Sequence, residues 1–356
     1  MNPIPTHPAA APPPANFPVA WPSYGDSLMH WTRDAVRGPR QMSRLDASLA
    51  VLWTDAGYGH AQRVYGMPAR VRHLVVNSWL YVSVEPVSHD AVELSRLRDG
   101  VEVAVAEALG SMRDRWSSRW FPETTRIGAE LESVGTGAAV ADLERIVTLG
   151  SRAWQIRTEM AVPAELAVRA LERASAARER RADDPRSPFD RPLPVISSLV
   201  AVSASAAAIT ALPASEPATP SGGDERASRL LAQASHAAGL GEQQRVLLDN
   251  RLNRAAVRAV TAAGRRLWSE ELLDDPVDAF HLSLEELRHA LVNGGDMRLR
   301  AAAGRVEMAR YRGISAPPVL GPDGRLDDPF GWAIGDVRAP ATGWNAASGD
   351  ALAASA

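Results

Sequence analysis

The sequence predicts a mainly α protein, a multi-helix lobe with a small two-stranded β element. Three observations lead there. From Asp90 onward alanine and arginine, both good helix formers, dominate long windows. Glu242 to Leu291 reads as a long helix with apolar residues at Val246, Leu247, Val257 and Val260, carried on through Leu267 and Trp268. Only Val71 to Val84 carries Val, Leu, Tyr and Trp with the partial alternation of strands, which suits one short two-stranded element.

Taken in order, residues 1–16 form a Pro/Ala-rich tail that is expected to be disordered. It has no charged region followed by an apolar core, so it does not read as a secretory signal. Residues 17–212 form the first helical block with the β element. Its first helix, Leu45 to Tyr65, is stopped by Gly66 and Pro68. Further helices are expected over about 90 to 118, 138 to 160 and 163 to 181, the last two separated at Pro163. Pro192 to Ser215 is uncharged, but its serines and flanking prolines favour a buried helix over a membrane span. A Pro/Ser/Gly linker over 213–224 leads to a second helical block, 225–320, expected to pack on the first. Within it, Asp274-Asp275-Pro276 is a break, and Ser283 with Glu286 reads as a capping box opening another helix. Residues 321–356 read as a loose tail.

Composition narrows the function classes. The 356 residues are 46% hydrophobic, enough to bury one large or two modest domains. Net charge is −3, with acids and arginines interleaved, so no basic face suggests nucleic acid. All 39 Lys+Arg residues are arginines, which excludes Schiff-base chemistry and argues against a nucleotide site within this chain. The absence of cysteine excludes disulfides and thiolate chemistry and suits a cytoplasmic protein. The eight histidines show no metal-ligand spacing, and neither G-x-S-x-G nor a glycine-rich loop after a strand is present. Asp183-Asp184 and Asp274-Asp275 precede prolines and read as turns and caps.

The ordered features of Glu242 to Leu291 resemble the central, acceptor-binding helical domain of the phosphoenolpyruvate-utilising phosphotransferases, the group of rifampicin phosphotransferase and phosphoenolpyruvate synthase-like proteins. Phe17-Pro18-Val19, Trp31-Thr32-Arg33-Asp34, Val75 to Tyr81, Trp120-Phe121-Pro122-Glu123 and Leu149 to Arg157 resemble further blocks of that domain, in the same order. The resemblance implies an apolar acceptor pocket in a helical lobe. It also implies ATP-grasp and phosphohistidine modules, neither of which this chain contains.

Where family members carry histidines, this chain has Arg37, Arg157 and Gln244, the last before a retained Asp249. If those positions line a pocket, fixed positive charge replaces acid–base character, which suits a phosphate, diphosphate or carboxylate on an apolar body. The alternative is that Arg37 and Arg157 are surface arginines paired with Asp34 and Glu159, and that Arg245 and Asp249 form a plain helix pair. On the first reading, Asp249, Arg157 and Asp34 are the catalytic candidates. Trp31, Arg33, Arg37, Asn77, Trp79, Tyr81, Trp154, Gln244 and Asn253 would contact substrate. Asp249, Asp34 and Glu159 would hold Mg²⁺.

Three functions fit. The first is a stand-alone biosynthetic enzyme on an isoprenoid diphosphate or similar molecule, a terpene synthase-like lyase or cyclase. The second is the acceptor-binding subunit of a split phosphotransferase, partnered by separate ATP-grasp and phosphohistidine proteins. The third is a non-catalytic small-molecule binding protein.

Overall fold

The computed structural model describes residues 17–182 and 222–321, apart from residues 36, 39, 89 and 136–138; side chains at 91, 98, 172–182, 222–224 and 226 are also undescribed. The mainly α expectation holds. A short α1 (Tyr24–Ser27) and strand β1 (Trp31–Arg33) lead into α2 (Arg44–Tyr65). The Ser43 hydroxyl accepts from the Asp46 amide at the start of α2, and Gly66 ends it at φ 62, a left-handed conformation that glycine adopts without a Cβ penalty.

The expected strand pair is present as a hairpin, β2 (Ala69–Val76) and β3 (Trp79–Pro86), in antiparallel register. Its turn residues Asn77 and Ser78 have φ of 52 and 69, the paired positive values that a two-residue hairpin turn demands. The sheet is nevertheless four-stranded, in the order β2-β3-β1-β4, with β4 (Val319–Leu320) against β1. Strands of three and two residues are too short to show alternation, so pairing between distant segments creates what the local pattern did not announce.

Beyond the sheet come α3 (Ala91–Gly110), α4 (Met112–Arg115), one π-helical turn (Trp116–Trp120) and α5 (Phe121–Glu132). Helix therefore extends well past the expected stop near 118. Two long helices follow, α6 (Ala139–Ala182) and α7 (Gly222–Ser269). The last three positions of the expected 213–224 linker are thus helical; its remainder, Asp183-Asp184, the 192–215 segment, and residues 1–16 and 322–356 lie outside the described residues. After α7, Asp275 caps a 3₁₀ turn (Pro276–His281) by accepting from Val277, and Ser283 and Glu286 form the expected capping box of α8 (Leu284–Asn293). The final helix is α9 (Arg298–Tyr311). No described helix is long and apolar enough to cross a membrane.

The two helical blocks share one core. It runs from Leu45, Leu49 and Trp53 on α2 through Leu143, Ile146 and Ile156 on α6 to Leu248, Leu252 and Val260 on α7 and Leu287 on α8. The buried stripe of α7 is largely alanine (Ala255, Ala259, Ala263), whereas Val246 and Leu247 face solvent. A second, smaller core forms against the sheet from Phe17, Trp31, Val76, Tyr81, Ala316 and Leu320.

Pro163 does not divide α6 as expected. A proline at that position removes the amide that would donate to the Glu159 carbonyl. The Tyr65 hydroxyl donates to that carbonyl instead, at 2.5 Å, so the acceptor stays satisfied and the helix runs on. Immediately before this point α2 and α6 meet through glycines. A Cβ on Gly150 would stand 2.3 Å from the Trp53 ring, and one on Gly57 2.9 Å from the Trp154 carbonyl oxygen. The Thr158 hydroxyl donates to the Gly57 carbonyl at 2.8 Å and fixes the register.

Two stability predictions follow from this packing. Tyr65→Phe costs about 1–2 kcal/mol in urea unfolding and loses roughly half or more of that cost in a Pro163→Ala background, where residue 163 regains an amide. An equal cost in both backgrounds contradicts the compensation. Gly150→Ala is destabilising by about 1–3 kcal/mol in the same assay, because Trp53 is fully enclosed and has no room to yield.

Candidate functional site

The α6–α7 contact brings together three residues that the sequence singled out separately. Gln244 is fully buried, and its amide donates to the Ala153 carbonyl at 3.0 Å, which orients its oxygen outward along α6. That oxygen accepts from Arg157 Nε at 3.2 Å, and Arg157 Nη2 donates to Asp249. The Arg157 guanidinium also lies 4.8 Å from the Trp154 ring centroid, a cation–π distance. Arg157 is 18% and Asp249 28% exposed at the side chain, so the cluster sits at the lip of the helix interface. Asn253 is partly buried on the same α7 face.

The anticipated helix pair between Arg245 and Asp249 is not made. Arg245 turns to Glu242, with Nε 2.7 Å from its carboxylate, and Asp249 is taken by Arg157. Sequence spacing favours the local partner, but α6 presents a guanidinium already oriented by Gln244. The Glu242 hydrogen bond raises the Arg245 pKa against burial, which lowers it, and the charges of Glu242 and then Asp249 add to the rise.

Arg37 occupies a different cluster. Its Nη1 donates to Asp34 at 2.8 Å, its backbone amide donates to the same carboxylate at 2.9 Å, and its Nη2 donates to the Tyr58 hydroxyl. Burial alone would raise the Asp34 carboxyl; the Arg37 charge and hydrogen bonds overcome it and hold the group below its ordinary value. Burial likewise pushes the Tyr58 hydroxyl up. Glu165 on α6 is also raised by burial, against the opposing charges of Arg37 and Arg169. Beside this cluster, His73 packs 5.6 Å from the Tyr58 ring, and its Nδ1 lies 2.8 Å from Asp55. The two arginines therefore do not form one joint anion site, because each is neutralised by its own carboxylate.

Glu159, only 1% exposed, belongs to neither cluster. Its Oε1 lies 2.6 Å from His60 Nε2 and its Oε2 3.7 Å from Arg119 Nη1. Asp34, Glu159 and Asp249 thus each have a separate cationic or imidazole partner. They do not converge as a Mg²⁺ donor set, and no group of three or more potential ligands forms among the described residues.

The remaining substrate candidates serve the sheet. Trp31 is fully buried and donates its indole N–H to the Asp26 carbonyl at 2.8 Å. The Tyr81 hydroxyl donates to the Pro317 carbonyl at 3.0 Å, and the Asn77 side chain donates to the Pro18 carbonyl at 2.8 Å. Arg33 stacks on Trp79 with its guanidinium carbon 4.2 Å from the ring centroid. Their polar atoms and faces hold the segments around Pro18 to Arg33 and Pro317 to Leu320 onto the hairpin, which is a sufficient reason for these residue types. Tyr58, His60 and Tyr65 have partners distant in sequence and leave no spacing signal, whereas Glu165 stands four residues before Arg169 and could have been noticed as a helix pair.

No family model matches the chain, and no solved structure matches it. Over 166 residues, 44% of this chain, it is 27% identical to chondramide synthase of Chondromyces crocatus, and that stretch covers 4% of the synthase's length.

The Asp34 cluster carries a pH prediction. A carboxyl whose folded pKa lies below its unfolded value, near 3.9, contributes stability above that value and loses it as pH falls through the folded pKa. In thermal unfolding from about pH 6 to pH 2, Asp34→Asn is expected to be less stable at the upper end and to show a shallower acid limb than the parent. Parallel curves contradict a depressed Asp34.

Proposed function

We propose that the chain is an enzyme of small-molecule biosynthesis acting on a bulky apolar substrate with an anionic head, an isoprenoid diphosphate being the type case. The observation that carries this reading is the meeting of Arg157, Gln244 and Asp249 at the α6–α7 lip. Two of these stand at positions where the resemblance to phosphotransferase acceptor domains implies histidine. Arg157 offers a permanent cation that cannot act as a proton donor near neutral pH, which suits anion binding rather than acid–base work. Trp154, itself only 8% exposed, lies against the guanidinium with its ring in the core and helps to hold that cation in place.

On this reading the C–O bond to the diphosphate breaks and its electron pair leaves with pyrophosphate, whose charge Arg157 offsets. The cation left on the hydrocarbon is discharged by loss of a proton or capture of water. The carboxylates noted above are engaged elsewhere, so no step is assigned to a metal. The likeness of part of the chain to a stretch of a synthase supports a biosynthetic setting. A second reading, a non-catalytic binding module, draws on one fact: Arg157 is already matched by Asp249.

The test is pyrophosphate release, with product analysis, from the full chain given isoprenoid diphosphates of several lengths, with and without Mg²⁺. Release with a defined hydrocarbon or alcohol is expected, and Arg157→Ala is expected to lower kcat/KM by about 100-fold, the scale of losing one charge-assisted contact to the leaving group. Tight binding without release supports the binding module. Neither binding nor release by folded protein contradicts both.

A further inference from the structure

We infer that Asp249 is an internal stand-in for the ligand's anionic head, which displaces it and is then held by Arg157 together with Arg245. This rests on the reading that Arg157 receives the anion, and adds a second cation and the group that must leave. The parts of the cluster differ in how firmly they are held. Gln244 is fully buried and tied to the Ala153 carbonyl, so it keeps Arg157 Nε oriented whatever occupies the other edge of the guanidinium. Asp249 is the more exposed member, with 28% of its side chain open, and a partly exposed ion pair adds little to stability and exchanges readily.

Arg245 stands one helical turn before Asp249 on α7 and so shares its face. Its guanidinium is turned toward Glu242 and is itself partly exposed, at 27%. The charged groups at the lip are therefore two arginines, Asp249 and Glu242. A carboxylate offers one pair of oxygens and one charge, whereas a diphosphate offers several oxygens and more charge. It can take the Asp249 position on Arg157 and reach Arg245 as well. Once displaced, Asp249 lies on the solvent side of the head. This arrangement selects for phosphate-type heads over single carboxylates, which gain nothing over the resident side chain.

Calorimetric titration of the full chain with inorganic pyrophosphate at low salt tests this directly. Asp249→Asn, which keeps the shape and removes the competing charge, is expected to bind pyrophosphate about tenfold more tightly than the parent. Arg157→Gln is expected to abolish binding and Arg245→Gln to weaken it several-fold. Should Arg157→Gln fail to fold, Arg245→Gln, at a more open position, carries the cation arm. Binding by Asp249→Asn that is no tighter than the parent's, with dependence on Arg157 retained, overturns the stand-in and leaves the anion site intact. Mg²⁺-dependent binding that Asp249→Asn abolishes makes Asp249 a metal ligand and also overturns it. Binding indifferent to Arg157 in folded variants, or no binding by any of them, overturns the stand-in and the anion site together.

Discussion

Helix α6 has to pass Pro163 without breaking, because both flanks of the lobe are built on it. One side takes α2 at the closest distance that glycines allow, with Trp53 over Gly150 and Thr158 bonded to the Gly57 carbonyl. Another takes α7, whose alanine stripe permits a similarly close approach. The Tyr65 hydroxyl keeps this spine continuous by satisfying the one carbonyl that the proline abandons. Arg157 lies upstream of that point on the stretch gripped from both sides, so its position against Gln244 is a consequence of packing rather than of local preference. A side chain held in this way can present a guanidinium with little entropy left to lose on binding.

Electrostatics in this lobe follow from the exclusive use of arginine. Buried or half-buried carboxylates near α6 meet cationic or imidazole partners: Asp34 with Arg37, Glu123 with Arg152, Asp142 with Arg145, Glu159 with His60 and Asp249 with Arg157. Desolvating a charge is costly unless it is paired and hydrogen-bonded, and the planar fork of arginine meets both needs at once. The same bookkeeping separates structural from functional candidates. Arg37 is nearly as covered as Arg157, at 14% against 18%, but its partner Asp34 is enclosed at 4% and its other edge is held by Tyr58, so it stabilises the junction of β1, α2 and α6. Arg157 is paired at an open lip, where exchange of partners does not require unfolding.

Local signals were readable wherever the physics is local. The Ser283–Glu286 capping box, the Gly66 stop, the Asp275-Pro276 break and the Val71 to Val84 hairpin all follow from residues within a few positions of one another. What could not be read depends on partners far along the chain. Nothing near Pro163 announces Tyr65, and nothing in Trp31–Arg33 or Val319–Leu320 announces a strand until the two segments meet beside β3. Hydrophobicity misled on α7, where Val246 and Leu247 are exposed and alanines are buried, because close helix packing selects small residues over large ones. At the site, the residues at 157, 244 and 249 stand out in the sequence, but the arginine pair that suits an anion there, Arg37 with Arg157, is split between two clusters. Those at 31, 77 and 81 were equally conspicuous, yet their hydrogen bonds belong to the sheet.

On the function proposed above, the α6–α7 lip, and neither the sheet nor the Arg37 cluster, receives the anionic head group. Side-chain ¹⁵N–¹H spectra of the full chain titrated with farnesyl diphosphate test it most directly, since indole, guanidinium and amide N–H groups mark each location separately. The Trp154 indole, Arg157 Nε and Gln244 amide signals are expected to shift together and saturate at one concentration, while those of Trp31 and Trp79 stay in place. Saturable shifts at Trp31, Trp79 or Arg37 with none at Trp154 and Arg157 would contradict it.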